Sequence, residues 1–191
     1  MSTNKLSSWQ WLTKIRAVLK DETSQIRPKQ HVYSLVSRAI PRGVGKELRA
    51  TLLRLRGIEV GAGTSLCGTP ELSGGESQGF GNLSIGSRCT INVGCVFECG
   101  DKINIGDQVT IGFQVLIITT THEIGPREHR AGVPIRKPVT IHDGAIIGSR
   151  SVILPGVTIG AAATVEPGSV VNRDVAPNTH VRGIPARKVD Q

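Results

Sequence analysis

His122 is the residue of this sequence best suited to moving a proton, and its position rather than its type singles it out. A neutral imidazole, with an ordinary pKa near 6.5, takes a proton from a hydroxyl at physiological pH, and a base held in place contributes roughly 10²- to 10⁴-fold. His129, His142 and His180 lie in the same half of the chain, so the imidazole by itself is not diagnostic. His122, however, stands at the root of residues 119–138, TTTHEIGPREHRAGVPIRKP, which carry three prolines and both signs of charge. Loops thrown out from a rigid scaffold are where sites tend to lie. The four cysteines, Cys67, Cys89, Cys95 and Cys99, show no C-x-x-C spacing. Cys89 and Cys95 fall at a small-residue position of a repeat and read as small buried thiols rather than metal ligands or a disulfide.

The scaffold that must hold His122 is legible as a six-residue beat. Ile141, Ile147, Ile153, Ile159, Val165 and Val171 recur without a slip, each followed four positions later by Ala145, Ser151, Val157, Ala163, Ser169 or Val175. A period of six fits neither the 3.6 of a helix nor a heptad. It predicts a mainly β fold, a parallel β-helix in which three hexads make one triangular coil and coils stack at strand spacing of about 4.8 Å. Upstream, Ile85, Ile91 and Phe97 and then Ile105, Ile111 and Ile117 keep the same beat. The longer step from Phe97 to Ile105 predicts a corner bulge near Glu98–Lys102, and Pro70–Gly81 reads as a turn-rich loop.

With 23 glycines, three Phe, two Trp and one Tyr, the core must be aliphatic and turn-rich. Charge divides the chain. Residues 1–57 hold 12 Lys or Arg against three acids, +9, whereas residues 58–191 hold 11 against 12, −1. The expected organisation is therefore a basic N-terminal helical segment, 1–57, and a repeat domain, 58–191, with the excursion at 119–138 and a tail at 177–191. Apolar residues at helical spacing predict helices near 7–19, 32–40 and 44–55, the last carried by Val44, Leu48, Leu52 and Leu55 and stopped at Gly57. Arg42, Lys46, Arg49 and Arg56 fall opposite that stripe, with Leu53 as the exception. Two accounts of the segment stand: a solvated face on helices packed against the prism, or attachment to an acidic acceptor or, peripherally, to an anionic membrane, where each basic residue is worth about 1 kcal/mol. Few aromatics accompany the basic residues, so nucleic acid is not expected as a partner. No run of 18 apolar residues and no signal-type stretch is present in the sequence, which predicts a cytoplasmic location.

The blocks GSRCTIN, INIGDQVTIG, HEIGPREHRAG, PVTIHDGAIIGSRSVILPGVTIG and SVVNRDVAPNTHVRGIPARKV occur in that order over about 85–188. In this they resemble the hexapeptide-repeat acyltransferases, specifically the maltose, galactoside and nodulation O-acetyltransferases and their polysaccharide-modifying relatives. The resemblance implies a left-handed parallel β-helix assembled as a homotrimer, with each active site between neighbouring prisms, acetyl-CoA as acyl donor and no metal. It implies that His122 is the general base and that Asn92 binds a carbohydrate acceptor. It implies further that the backbone N–H of Ser149, after Gly148, polarises the thioester carbonyl, and that Arg173 and Arg187 lie near the coenzyme's phosphates. Ile146 stands where many sugar acetyltransferases carry a tryptophan beside the coenzyme's thiol end, and Gly125 where the small-sugar enzymes have an acid. The basic helical N-terminus is more like the polysaccharide and lipid-linked glycan branch.

The resulting expectation is an O-acetyltransferase acting on a sugar hydroxyl of a bacterial surface polysaccharide or its lipid-linked precursor. An N-acetyltransferase of an amino sugar or xenobiotic is the enzymatic alternative, since the same base and slot serve an amine. From other classes, a non-catalytic scaffold is one rival. The other, a γ-carbonic-anhydrase-like protein, needs three histidines around zinc, and the histidines of residues 58–191 do not show that spacing.

Overall fold

Branched aliphatic residues repeating every six positions leave the chain one economical way to bury them: a short strand, a turn, and the same again on the next face of a prism. The computed structural model describes residues 44–74 and 81–189, together with Arg16, Val36 and residues 39–41. Its first face stacks β1 (Glu59–Val60), β4 (Leu83–Ile85), β7 (Ile103–Ile105), β12 (Val139–Ile141) and β15 (Thr158–Ile159). The second stacks β2 (Ser65–Leu66), β5 (Thr90–Ile91), β8 (Thr110–Ile111), β13 (Ile146–Ile147), β16 (Thr164–Val165) and β18 (His180–Arg182), the last closed by antiparallel β19 (Arg187–Lys188). The third stacks β3 (Glu71–Ser73), β6 (Val96–Glu98), β9 (Leu116–Ile118), β14 (Val152–Ile153) and β17 (Val170–Val171). All rungs within a face are parallel apart from β19.

The six repeat residues from Ile141 to Val171 are all at most 1% exposed, and the small partners Ala145, Ser151, Ala163 and Ser169 are fully buried. Cys89 and Cys95 occupy the same small-residue row and are likewise buried. Their thiols reach the carbonyls of Gly106 and Gly112 in the next coil, at 3.0 and 3.2 Å. Burial pushes both thiols above their ordinary pKa, so they are inert packing groups at neutral pH. Glu71–Ser73, within the stretch read as loop, is the strand β3, and Leu72 pairs with Phe97 to complete the first coil.

Every departure from the beat occurs at one edge, where the chain passes from the third face back to the first. The bulge between β6 and β7 lies there, as does the segment from β3 to β4 and the long excursion between β9 and β12. The excursion is an ordered antiparallel hairpin of β10 (Thr120–Ile124) and β11 (Ala131–Arg136), with a register shift between His122 and Ile124. Pro134 is tolerated because a two-stranded ribbon is all edge, and a proline there forfeits no ladder bond the fold needs.

Of the three expected helices, the first two fall outside the described residues save Arg16, Val36 and residues 39–41. The third is present as α1 (Lys46–Leu55) and ends where Gly57 takes φ +83°. The face it buries differs from the expected one. Arg49, Ala50 and Leu53 are buried, whereas Val44, Leu48 and Leu55 are 62%, 51% and 63% exposed. Arg49, read as part of a solvated basic face, is instead 2% exposed. Its guanidinium donates to the carbonyls of Ile40 and Pro41 at 2.9 and 2.8 Å and to that of Val44. The reason is local: the donor fork of Arg49 gathers three carbonyls of the chain that enters the helix. Helical spacing identifies an apolar stripe but not which stripe meets the prism. The helix α1 falls in the same compact unit as the prism.

Candidate active site

The prism places the sequence-identified residues on different edges. Asn92, Gly148 and Ser149 follow β5 and β13, at the edge between the second and third faces. His122 is on β10, opposite Pro134 in the hairpin ladder, and is exposed. Its hairpin is rooted on the edge between the third and first faces, so the whole width of the third face separates the root from the edge bearing Ser149. Arg173 and Arg187 meet at the C-terminal end of the prism. There they line one cavity of about 370 Å³ with Val171, Asp174 and Lys188.

Along the edge carrying Ser149, each coil hands a hydrogen bond to the next. Phe113 N–H donates to Ser149 Oγ at 3.0 Å, and Arg150 N–H donates to the Phe113 carbonyl at 2.7 Å. The rung below Ser149 in this column is Pro167, whose side chain holds no acceptor. Among the described residues the N–H of Ser149 therefore meets no acceptor. A half-buried, unpaired backbone donor on a rigid corner is suited to an oxygen that becomes negative during acyl transfer. Gly148 is a stacking residue: a Cβ there would fall 2.4 Å from Pro167 N.

Ile146 stands beside this corner, facing outward between Thr110 and Thr164 in its ladder and 47% exposed. Phe113, 53% exposed, is a neighbour the sequence reading passed over. Its signal was an aromatic directly after Gly112, in a chain with six aromatic residues, at a position that is aromatic in no other repeat. Ile146 and Phe113 give the corner an apolar wall. Asn92 uses its amide Nδ2 to donate to the Ile111 carbonyl at 3.0 Å, leaving Oδ1 for a further partner. Arg187 donates to its neighbour's carbonyl, Ala186 O, at 2.7 Å. Among the described residues no three His, Cys, Asp or Glu side chains cluster as a metal site.

The bulge near Glu98–Lys102, expected from spacing alone, carries a side chain that the sequence did not reveal as important. Glu98 is half-buried at the hairpin's root. Oε1 accepts from Gly100 N–H at 3.0 Å and Thr120 Oγ1 at 2.9 Å, and Oε2 from the N–H groups of Thr119 and Thr120 at 2.9 Å each. Thr119 Oγ1 lies 2.9 Å from Oε2 and 2.8 Å from the Glu98 carbonyl, and gives its one proton to either. Desolvation raises the carboxyl's pKa, but the bonds from Thr119 and Thr120 together outweigh it and leave it below the ordinary value.

Comparison with known proteins agrees with this architecture. The family described as bacterial transferase hexapeptide (six repeats) matches residues 138–173. Nodulation protein L of Rhizobium meliloti (strain 1021) is 45% identical over 106 residues, covering 56% of this chain and 58% of that protein. A hexapeptide-repeat-containing acetyltransferase of Vibrio cholerae O1 biovar eltor, solved with acetyl coenzyme A, is 32% identical, with a TM-score of 0.71 over 87% of this chain and 85% of that one. A maltose O-acetyltransferase from Clostridium difficile 630 gives 29% identity and a TM-score of 0.73 over 85% and 83%. The chain spans about half the length of the sequence relatives it matches, 52% and 58% for two of them. Fold, repeat and these similarities together establish that the chain belongs to the hexapeptide-repeat acetyltransferases, proteins built on a left-handed parallel β-helix.

Proposed function

We propose that this protein transfers an acetyl group from acetyl coenzyme A to a sugar hydroxyl of a surface polysaccharide or lipid-linked glycan precursor, in a homotrimer with His122 as general base. The observation that carries the reading is the division of the site between two edges. The exposed imidazole springs from one edge and the unpaired Ser149 N–H sits on another, so a site needing both is completed by a second copy.

In this reading the His122 imidazole takes the proton of the acceptor hydroxyl as its oxygen attacks the thioester carbonyl. Ser149 N–H donates to the oxygen of the tetrahedral intermediate, a contact worth a few kcal/mol, and the coenzyme thiolate leaves with a proton returned through the imidazolium. Oδ1 of Asn92 remains for the acceptor. Arg173 and Arg187, sharing one cavity, suit the phosphates of the coenzyme.

The faces of the prism support assembly. Outward residues of the first face include Ser84, Asn104, Thr140 and Thr158, whereas the third presents Val96, Leu116, Val152 and Val170 in one continuous ladder. An apolar ladder on one face of three fits burial against another copy. Leu116→Asp is expected to reduce the sedimenting species to a monomer.

Peripheral contact of residues 1–57 with anionic lipid belongs to the same proposal. It is supported by the charge of that segment and by the exposed Val44, Leu48 and Leu55 of the α1 region. Among the described residues no helix is long and apolar enough to cross a membrane. Salt-insensitive failure to pellet with anionic vesicles would remove this part.

The deciding experiment measures thiol release from acetyl coenzyme A with a panel of sugar hydroxyl and amine acceptors. Hydroxyl acceptors are expected to turn over, and His122→Ala to lose about 10²- to 10⁴-fold with the assembly intact. Turnover of amines alone would make it an N-acetyltransferase, and full activity in His122→Ala would remove the base.

A further inference from the structure

We propose that Glu98 is the positioning residue for His122: its carboxylate pins Thr119 and Thr120, the first residues of the hairpin, and thereby fixes where β10 delivers the imidazole. This rests on the reading of His122 as general base.

The argument is geometric. A two-stranded ribbon leaving a prism is free to swing at its root unless the root is tied down, since an isolated hairpin is marginal in water. The return strand is tied once, by Lys137 N–H donating to the Thr119 carbonyl at 2.8 Å. The outgoing strand is tied by Glu98. Its two oxygens take the consecutive N–H groups of Thr119 and Thr120 and the Thr120 hydroxyl, and Asp101 N–H adds a bond to Thr119 Oγ1 at 2.9 Å. The carboxylate thus locks both the backbone direction and the side-chain rotamer two residues before His122. Thr120 and His122, two apart in β10, lie on one face of the ribbon, so the Thr120 rotamer and the direction of His122 are set together.

The surroundings are shaped for this carboxylate. A Cβ on Gly100 would fall 2.6 Å from Oε1, and one on Gly74 in the preceding coil 2.2 Å from it. Bare backbone on both sides makes room for an anion gathering donors. No ligand is needed to explain the group, because its acceptors are filled by Gly100 and the root of the hairpin. Misplacing a catalytic group by about 1 Å costs on the order of 100-fold in rate, so a root clamp acts on kcat without touching substrate.

The test uses the full chain. Glu98→Gln keeps the shape but turns one acceptor into a donor facing N–H or O–H groups. It is expected to lower kcat on the order of 10- to 100-fold, leave KM for acetyl coenzyme A unchanged, and speed amide hydrogen exchange across Thr119–Ile124. Thr120→Val, which removes one donor without disturbing the prism, is expected to do the same more weakly, and Thr120→Ser to restore the rate. Wild-type kcat and exchange in both Glu98→Gln and Thr120→Val would overturn the inference. A fall in thermal midpoint with no change in kcat or in hairpin exchange would also overturn it, since that is what a purely structural role gives. His122→Ala run alongside separates the two readings: if it keeps full activity the base assignment fails, and exchange at Thr119–Ile124 alone then decides whether Glu98 orders the root.

Discussion

A Cβ built on Gly112 falls 2.5 Å from the backbone nitrogen of Ser149 in the next coil, a separation that nonbonded atoms do not tolerate. The bareness of Gly112 therefore sets how closely the Ser149 N–H approaches its neighbour and in which direction it points. Gly112→Ala must push the two coils apart at that corner. Overpacking of this kind costs about 1–3 kcal/mol, and kcat should fall with the thermal midpoint if the Ser149 N–H serves as proposed. Melting and steady-state kinetics on one preparation check this; unchanged kcat in a destabilised variant would detach Ser149 from the chemistry.

Ile146 and Ile147 are adjacent in β13 and point to opposite sides, and they should fail in opposite ways. Ile147 is 1% exposed in the aliphatic column, so Ile147→Ala is expected to cost about 2–5 kcal/mol of stability. Ile146 is 47% exposed on the wall beside Ser149. Ile146→Ala should shift stability by no more than about 0.5 kcal/mol while changing the ratio of kcat/KM between acetyl and longer acyl donors. A ratio equal to that of the wild type would leave Ile146 as surface.

The contrast within β13 also explains what was legible in the sequence. Burial of a repeated column is a one-dimensional property, so the residues from Ile141 to Val171 declare the prism by type and count alone. The hairpin was expected only as an excursion. Three prolines break its alternation, and pairing such as Thr121 with Ile135 is set by a turn rather than by a core. Glu98 was visible as a spacing anomaly, but its donors come from Thr119 and Thr120, more than a coil away in sequence. The polarity of α1 was read from a stripe of leucines, yet Arg49 has a use for its guanidinium that no pattern encodes. That His122 and Ser149 lie on different edges follows only once the hexads are folded into triangles.

Arg49 offers a direct measure of that use. Arg49 is 2% exposed, and its guanidinium holds the carbonyls of Ile40, Pro41 and Val44. Replacement by methionine keeps much of the bulk and strands those acceptors. Because an unsatisfied buried polar group costs about 1–3 kcal/mol, Arg49→Met should lower stability by at least about 2 kcal/mol. Lys46→Met, on an exposed position of the same helix, should be nearly neutral. Chemical denaturation compares them, and equal midpoints would return Arg49 to the solvated face first expected for it.

Glu98 makes a prediction about acid. Its folded carboxyl sits below the ordinary value because donation from Thr119 and Thr120 exceeds the desolvation penalty. A depressed acid contributes its stabilisation fully above the unfolded value, about 4.3 for a glutamate, and loses it as pH falls through the lower folded value. At neutral pH the clamp is therefore fully closed, and it should open only in acid. The Cys99 thiol beside it, pushed up to about 12 by burial and by the Glu98 charge, stays protonated in that window. Amide resonances of Gly100, Thr119 and Thr120 should titrate together with a midpoint below the ordinary glutamate value, and Glu98→Gln should abolish that shared titration. A common midpoint at or above the ordinary value would mean that burial, not hydrogen bonding, governs this carboxyl, and the root of the hairpin would then be held by something other than its charge.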